Sequence, residues 1–304
     1  MRVLLVSDLH YTLKQFDWVL NAADHYDLVV IAGDHLDISS AVAIPAQTTV
    51  ILTYLRRLRA KTGLIVCSGN HDLDARDDAG EKFTKWILQA RRYGVPTDDE
   101  SIVMHDTLFT ICPWWDGPEN CAKVGAQIER DSRKAKNRWI WVYHAPPDGS
   151  PTSWVGQKHF GDTQLGEWIA HYAPDMVITG HIHQSPFRQG GSWVDQIGNT
   201  WIFNPGRQIG PCPTHIVIDT EASAALWFSL AGAEVLPLDR PLTRPVSELT
   251  ELPVWLRPQY PGSDRSPAGI RPRADEAGSP GLRPPCPSGP ADPRTGSSDP
   301  PDRS

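Results

Sequence analysis

The chain has 304 residues, 40% of them hydrophobic, with a net charge of −7; it is long enough to bury a sizeable core in one large domain or two small ones. The acidic balance argues against a broad electrostatic grip on nucleic acid, though not against a local basic groove. No stretch has the length and apolarity of a membrane span, and an aspartate and a histidine cut the N-terminal run MRVLLVSDLH too short for a secretory signal.

In chain order, short runs rich in β-branched residues alternate with segments of helical period, the pattern of a layered α/β fold. Arg2 to Ser7 predicts a strand, and Lys14 to Asp24 a helix with Phe16, Val19, Leu20 and Ala23 on one face. Asp27 to Ala32 is a second strand, Val50 to Ala60 sits in a helix, Leu64 to Ser68 is a third strand, and Glu81 to Tyr93 reads as a helix. Ser101 to Met104 and Leu108 to Cys112 are neighbouring strands, Ala122 to Asn137 is a charged helix, and Trp139 to Tyr143 is a strand. Asp162 to Tyr172 is helical and Asp175 to Thr179 extended; the segments 192–197, 200–203, 215–219 and 224–229 are spaced like antiparallel hairpins. Two sheets packed face to face, with helices outside, accommodate this order.

The domain is expected to occupy 1–236. From Pro237 to Ser304 lie 16 of the 28 prolines and nine arginines balanced by nine acidic residues, so 237–304 reads as a loose or disordered tail. The five cysteines are scattered without CxxC spacing, which suits free thiols in a reducing compartment and predicts a cytoplasmic protein.

Almost every predicted strand ends in a polar cluster: Ser7-Asp8-Leu9-His10, Gly33-Asp34-His35-Leu36-Asp37, Gly69-Asn70-His71-Asp72, then His144, then Gly180-His181-Ile182-His183. Strand carboxyl ends in α/β sheets converge on one crevice, so the clusters are expected to form a single site. Carboxylate, carboxamide and imidazole donors without thiolate suit divalent cations in an open hydrolytic site rather than a closed structural zinc site.

These five blocks resemble the calcineurin-like metallophosphoesterase family, whose pattern is D-x-H, G-D-x-x-D/E, G-N-H-D/E, H and G-H-x-H. The resemblance spans about residues 2 to 229 and takes in the turn Asn204-Pro205-Gly206. It implies two mixed β-sheets packed as a sandwich flanked by helices, and a binuclear centre of manganese, iron or zinc. It further implies that Asp8, His10, Asp34 and His183 bind one metal and Asp34, Asn70, His144 and His181 the other, with Asp34 as the bridge. His71 is then the catalytic histidine, oriented by Asp72, and a metal-bridging hydroxide attacks the phosphorus of a phosphomonoester or phosphodiester.

Asp37 matches the last acidic position of its block and is expected to fix a turn or support a ligand. His35, beside the bridging aspartate, and the loop residues Trp114 and Trp115 are expected to contact substrate; the loop Ala145 to Lys158, with Trp154, is expected to form another wall. The substrate is expected to be a small or medium phosphoester, with no membrane partner. A nuclease using the same centre is the alternative; a non-catalytic scaffold is less favoured because no ligand position is degenerate.

Overall fold

A computed structural model describes residues 1–259; the rest of the expected tail, 260–304, lies outside the described residues. The first sheet begins with three parallel strands, β1 (Arg2–Val6), β2 (Leu28–Ala32) and β3 (Gly63–Cys67), joined by α1 (Leu13–Ala22) and α2 (Ile44–Arg59). A two-stranded hairpin follows, β4 (Ala75–Arg76) with β5 (Lys82–Phe83). The second sheet is built from β6 (Ser101–Met104), β7 (Thr107–Ile111), β8 (Arg138–Val142), β9 (Met176–Ile178), β10 (Val194–Ile197) and β11 (Thr200–Phe203), in the order β10-β11-β9-β8-β7-β6. Helices α3 (Pro118–Ser132) and α4 (Thr163–Tyr172) connect its central strands. The chain then returns to the first sheet through β12 (His215–Asp219), β13 (Ala224–Ser229), β14 (Gly232–Pro237) and β15 (Ser247–Glu248), giving the order β15-β14-β13-β12-β1-β2-β3.

Alternation along each strand builds three apolar layers. In β1, Val3 and Leu5 join a core with Phe109, Ile140, Ile178 and Phe203 of the second sheet, which places it between the sheets. Leu4 and Val6 face the opposite way, onto Phe16 and Val19 of α1 and Ile51 and Leu55 of α2. On the far side, Trp139 and Trp141 of β8 pack with Val124 and Ile128 of α3 and Leu165 and Ile169 of α4. A strand buried on both faces needs apolar residues at every position, which is why LVVIA of β2 shows no polar alternation. The expected sandwich of two mixed sheets with outer helices is the fold observed.

Two stretches differ from expectation. Glu81 to Tyr93 is not one helix: residues 82–83 pair with 75–76, and only Ile87–Tyr93 coils, as a short 3₁₀ segment. The cause is tertiary, because Glu81 is drawn to the start of α3, where its carboxylate accepts from the N–H groups of Glu119 (2.9 Å) and Asn120 (2.8 Å). The segment after Pro237 also departs from a loose tail over its described part. Strand β15 pairs with β14, and Leu249, Leu252 and Leu256 are buried in the same layer as α1 and α2.

Candidate metal centre

All five polar blocks follow strands, and the loops that carry them are stitched together through the backbone. The N–H groups of Asp8, His10 and Tyr11 donate to the carbonyls of Gly33, Asp34 and His35 at 3.2, 2.9 and 2.8 Å, joining the loops after β1 and β2. Gly180 N–H donates to His144 O at 2.7 Å, joining those after β8 and β9. Asp8, His10, Asp34 and His181 have φ of 56°, 41°, 54° and 67°, a left-handed conformation that costs a residue other than glycine of order 1–3 kcal/mol and recurs where side chains must be aimed. Gly33 is needed for close approach: a Cβ there would lie 2.3 Å from His144 Nδ1.

Two carboxylates lie among imidazoles from both sheets. Asp8 Oδ1 is 3.1 Å from His183 Nε2, 3.7 Å from His144 Nε2 and 3.9 Å from His10 Nε2. Asp34 Oδ1 accepts from the His71 N–H (2.9 Å), while Oδ2 faces His144 Nε2 at 3.2 Å and His10 Nε2 at 3.6 Å. Among the described residues three groupings have donor atoms all within 4.8 Å of one another: Asp8, His10, Asp34 and His183; Asp34, His144 and His181; and His10, Asp37 and His71; Asp34 is common to the first two.

The donor chemistry fits divalent cations. Asn70 Oδ1 and His144 Nε2 are buried without a hydrogen-bond partner, each costing about 1–3 kcal/mol unless something binds it. His144 Nδ1 lies 2.6 Å from the Ala32 carbonyl, which fixes the N–H there and leaves Nε2 as a donor atom for a metal. Burial pushes the His144 imidazolium down, but the carboxylates of Asp34 and Asp8 outweigh it and raise its pKa to about 9. Burial raises Asp34, yet the charge of His144 holds it at about 2, and Asp8 is lowered likewise. A pair of ionised buried carboxylates demands a compensating positive charge, which a divalent cation supplies while releasing the His144 proton. His10 and His181 both fall to about 4, first through burial, and are neutral at pH 7, as ligands must be.

Not every residue singled out in the sequence stands where expected. Asp72 does not orient His71: its carboxylate accepts from the backbone N–H groups of His35, Leu36 and Gly69 and lies 3.0 Å from His35 Nδ1. The acid near His71 is Asp37, whose carboxylate lies within 4.8 Å of ring nitrogens of both His71 and His10. His35 is 0% exposed, edge-on to Trp86, and so cannot meet substrate from that position. Trp115 stacks on Tyr143 at 4.1 Å, whereas the half-buried Trp114 ring lies 5.1 Å from that of His181; of the two, Trp114 adjoins the centre. Trp154 donates through Nε1 to Gln189 O at 2.9 Å, so its loop is tied to the segment after His183.

Sequence reasoning passed over Arg207. Its backbone N–H donates to His183 O at 2.9 Å, its Nε is buried without a partner, and its charge helps lower His10. The available signal was its place directly after Asn204-Pro205-Gly206.

The family model of the calcineurin-like phosphoesterase superfamily domain matches residues 1–223. The chain belongs to that superfamily. Membership supports metal-dependent phosphoester hydrolysis in general, and the Asp/His cluster is one that could hold a metal. Among solved structures, one aligns at TM-score 0.51 and 14% identity, covering 78% of this chain and 99% of that one. The protein TT1561 of Thermus thermophilus aligns at TM-score 0.49 and 12% identity, covering 78% and 98%. The purple acid phosphatase PPD1 from yellow lupin (Lupinus luteus) seeds aligns at 0.47 and 13%, covering 78% and 51%. At such identities the likeness speaks to fold alone, and of the three the first carries that argument. No curated protein matches in sequence. Among the described residues, no helix is long and apolar enough to cross a membrane.

Proposed function

We propose that this protein hydrolyses small or medium phosphoesters at a binuclear centre of manganese, iron or zinc. One observation carries the reading: a single oxygen of Asp34 faces His144 at 3.2 Å and His10 at 3.6 Å, while its other oxygen is held by the His71 N–H. That disposition, with Asp34 common to two candidate ligand groupings, supports reading it as a carboxylate shared between two cations. Asp8, His10, Asp34 and His183 would hold one cation, and Asp34, Asn70, His144 and His181 the other.

The cations would supply polarisation of the phosphoryl oxygens and a water acidic enough to lose a proton near neutral pH. The chain's own side chains do the rest. Asp8 and Asp34 remain ionised and set the charge of the site; the Ala32 carbonyl fixes the His144 tautomer. His71, edge-on to His10 with ring centroids 4.5 Å apart, would serve as the general acid toward the departing oxygen. Asp37, whose carboxylate lies within 4.8 Å of a His71 ring nitrogen, would orient the imidazole. Trp114 gives the leaving group an apolar wall.

The test is a panel of aryl monoester, aryl diester and cyclic nucleotide, with each metal returned to stripped protein. Hydrolysis that Asn70→Ala and His71→Ala abolish, with melting unchanged, is the expected result. An inert wild-type chain under every condition would overturn the reading. Cytoplasmic residence belongs to the same reading, and fractionation into an oxidising compartment would remove it.

A further inference from the structure

We propose that Arg207 anchors the terminal oxygens of a dianionic phosphoryl group, so that the centre favours phosphomonoesters over phosphodiesters. The inference rests on the phosphoesterase reading and adds to it a substrate class. Its first support is the rigidity with which Arg207 is placed. Asn204, fully buried, donates through Nδ2 to Thr152 O (3.0 Å) and Ile182 O (3.1 Å), and its Oδ1 accepts from the Gly206 N–H (2.9 Å). Gly206 turns the chain at φ 70°, where a Cβ would lie 2.7 Å from Pro186 Cγ and 2.9 Å from His183 O. The turn therefore sets Arg207 directly against the backbone of His183, to which its own N–H donates at 2.9 Å.

The second support is that, among the described residues, the guanidinium has no counter-charge. Arg91, Arg133 and Arg244 each pair with a carboxylate within 4.0 Å. Among the described residues no carboxylate pairs with Arg207, and its buried Nε lacks any partner. A half-buried cation in this state, on a residue bonded through its backbone to His183, can take up an anion that arrives. The bond from the Arg207 N–H to His183 O at 2.9 Å ties this residue to the loop that carries His183, so an anion it holds would lie near the centre.

The shape of the group names the anion. A guanidinium presents parallel N–H donors that match two oxygens of one phosphate. A phosphomonoester near pH 7 carries about 1.5 to 2 negative charges and three terminal oxygens. A diester has one charge and two such oxygens, leaving less for an additional cation to grip.

The experiment compares wild type, Arg207→Ala and Arg207→Lys, all loaded with manganese, on p-nitrophenyl phosphate and bis(p-nitrophenyl) phosphate. Calorimetric binding of inorganic phosphate, metal content and melting are measured on the same samples. Arg207→Ala should lose about 10- to 100-fold in kcat/KM on the monoester, mainly through KM. The diester should change by less than about threefold, and phosphate affinity should fall in parallel with the monoester. Arg207→Lys should lie between, because it keeps the charge without the fork. Equal losses on both esters, or phosphate binding unchanged in a variant that still turns over, overturn the anchor. Wild-type protein inert on both esters but binding phosphate through Arg207 would keep the anchor and remove the hydrolase reading.

Discussion

Asp37, beside His71 in space, and Asp72, next to it only in the chain, have different neighbours, and substitution should separate their roles. Asp37→Asn removes the charge beside His71 while the backbone of residue 37 stays fixed by Gln47, whose Oε1 accepts from the Asp37 N–H at 2.9 Å. It should lower kcat by about 10- to 100-fold and leave melting nearly unchanged. Asp72→Asn turns a fully buried acceptor of three backbone N–H groups into a partial donor. About 2 to 4 kcal/mol should be lost, seen as a melting point lower by roughly 5 to 10 °C. Reversal of these two outcomes would restore Asp72 to the role expected from the sequence. That expectation came with the family resemblance, and in the 3₁₀ turn Asn70–Asp72 successive side chains diverge. The block residues themselves were legible, because each follows a strand and its chemistry is unusual there. Asp37's proximity to His71, His35's burial and Arg207's lack of a partner depend on folding and were not.

Elements explain both what the sequence revealed and what it concealed. Strands such as LVVIA and RWIWV carry continuous apolar runs, and their positions agree with expectation within a residue or two. The stretch 81–93 has helical period, but Glu81 is held at the start of α3 and Lys82–Phe83 pairs in a hairpin, interactions no local pattern encodes. At the end of β3, a Cβ on Gly69 would lie 2.2 Å from Asp34 Oδ1 and 2.5 Å from Asp34 N. Gly69→Ala should therefore displace Asp34, and metal analysis should find less than half the wild-type content. The same strand end bonds Asp98, whose Oδ1 accepts from the Ser68 N–H at 2.8 Å. Burial raises the Asp98 pKa from 3.8 to about 7. Between those values the folded chain keeps a proton that the unfolded chain releases, so this group's contribution is full below pH 3.8 and is lost as pH rises through 7. Asp98→Asn should flatten that part of the melting curve against pH; an unaltered slope would contradict the assignment.

At the scale of the whole molecule, the four-layer arrangement was readable from the alternation of strands and helices, whereas the extent of the domain was not. Composition drew a line at Pro237, yet Leu249, Leu252 and Leu256 are buried and Arg2 lies over the Trp255 ring at 4.1 Å. Burying three leucines is worth about 5 kcal/mol or more, comparable with the whole stability of many domains. A chain ending at residue 236 should melt far below the full-length protein or aggregate, by circular dichroism and light scattering. The two-sheet origin of the centre has one more consequence. Asp8, His10, Asp34 and Asn70 follow strands of the first sheet, and His144, His181 and His183 follow strands of the second. A cation bound between them would act as a rivet through the sandwich, linking its two halves as a long-range cross-link would. Opening between the sheets would then require metal release, so amide exchange in β8 and β9 should slow as free metal rises, with a gain near 2.7 kcal/mol at about 100 times Kd.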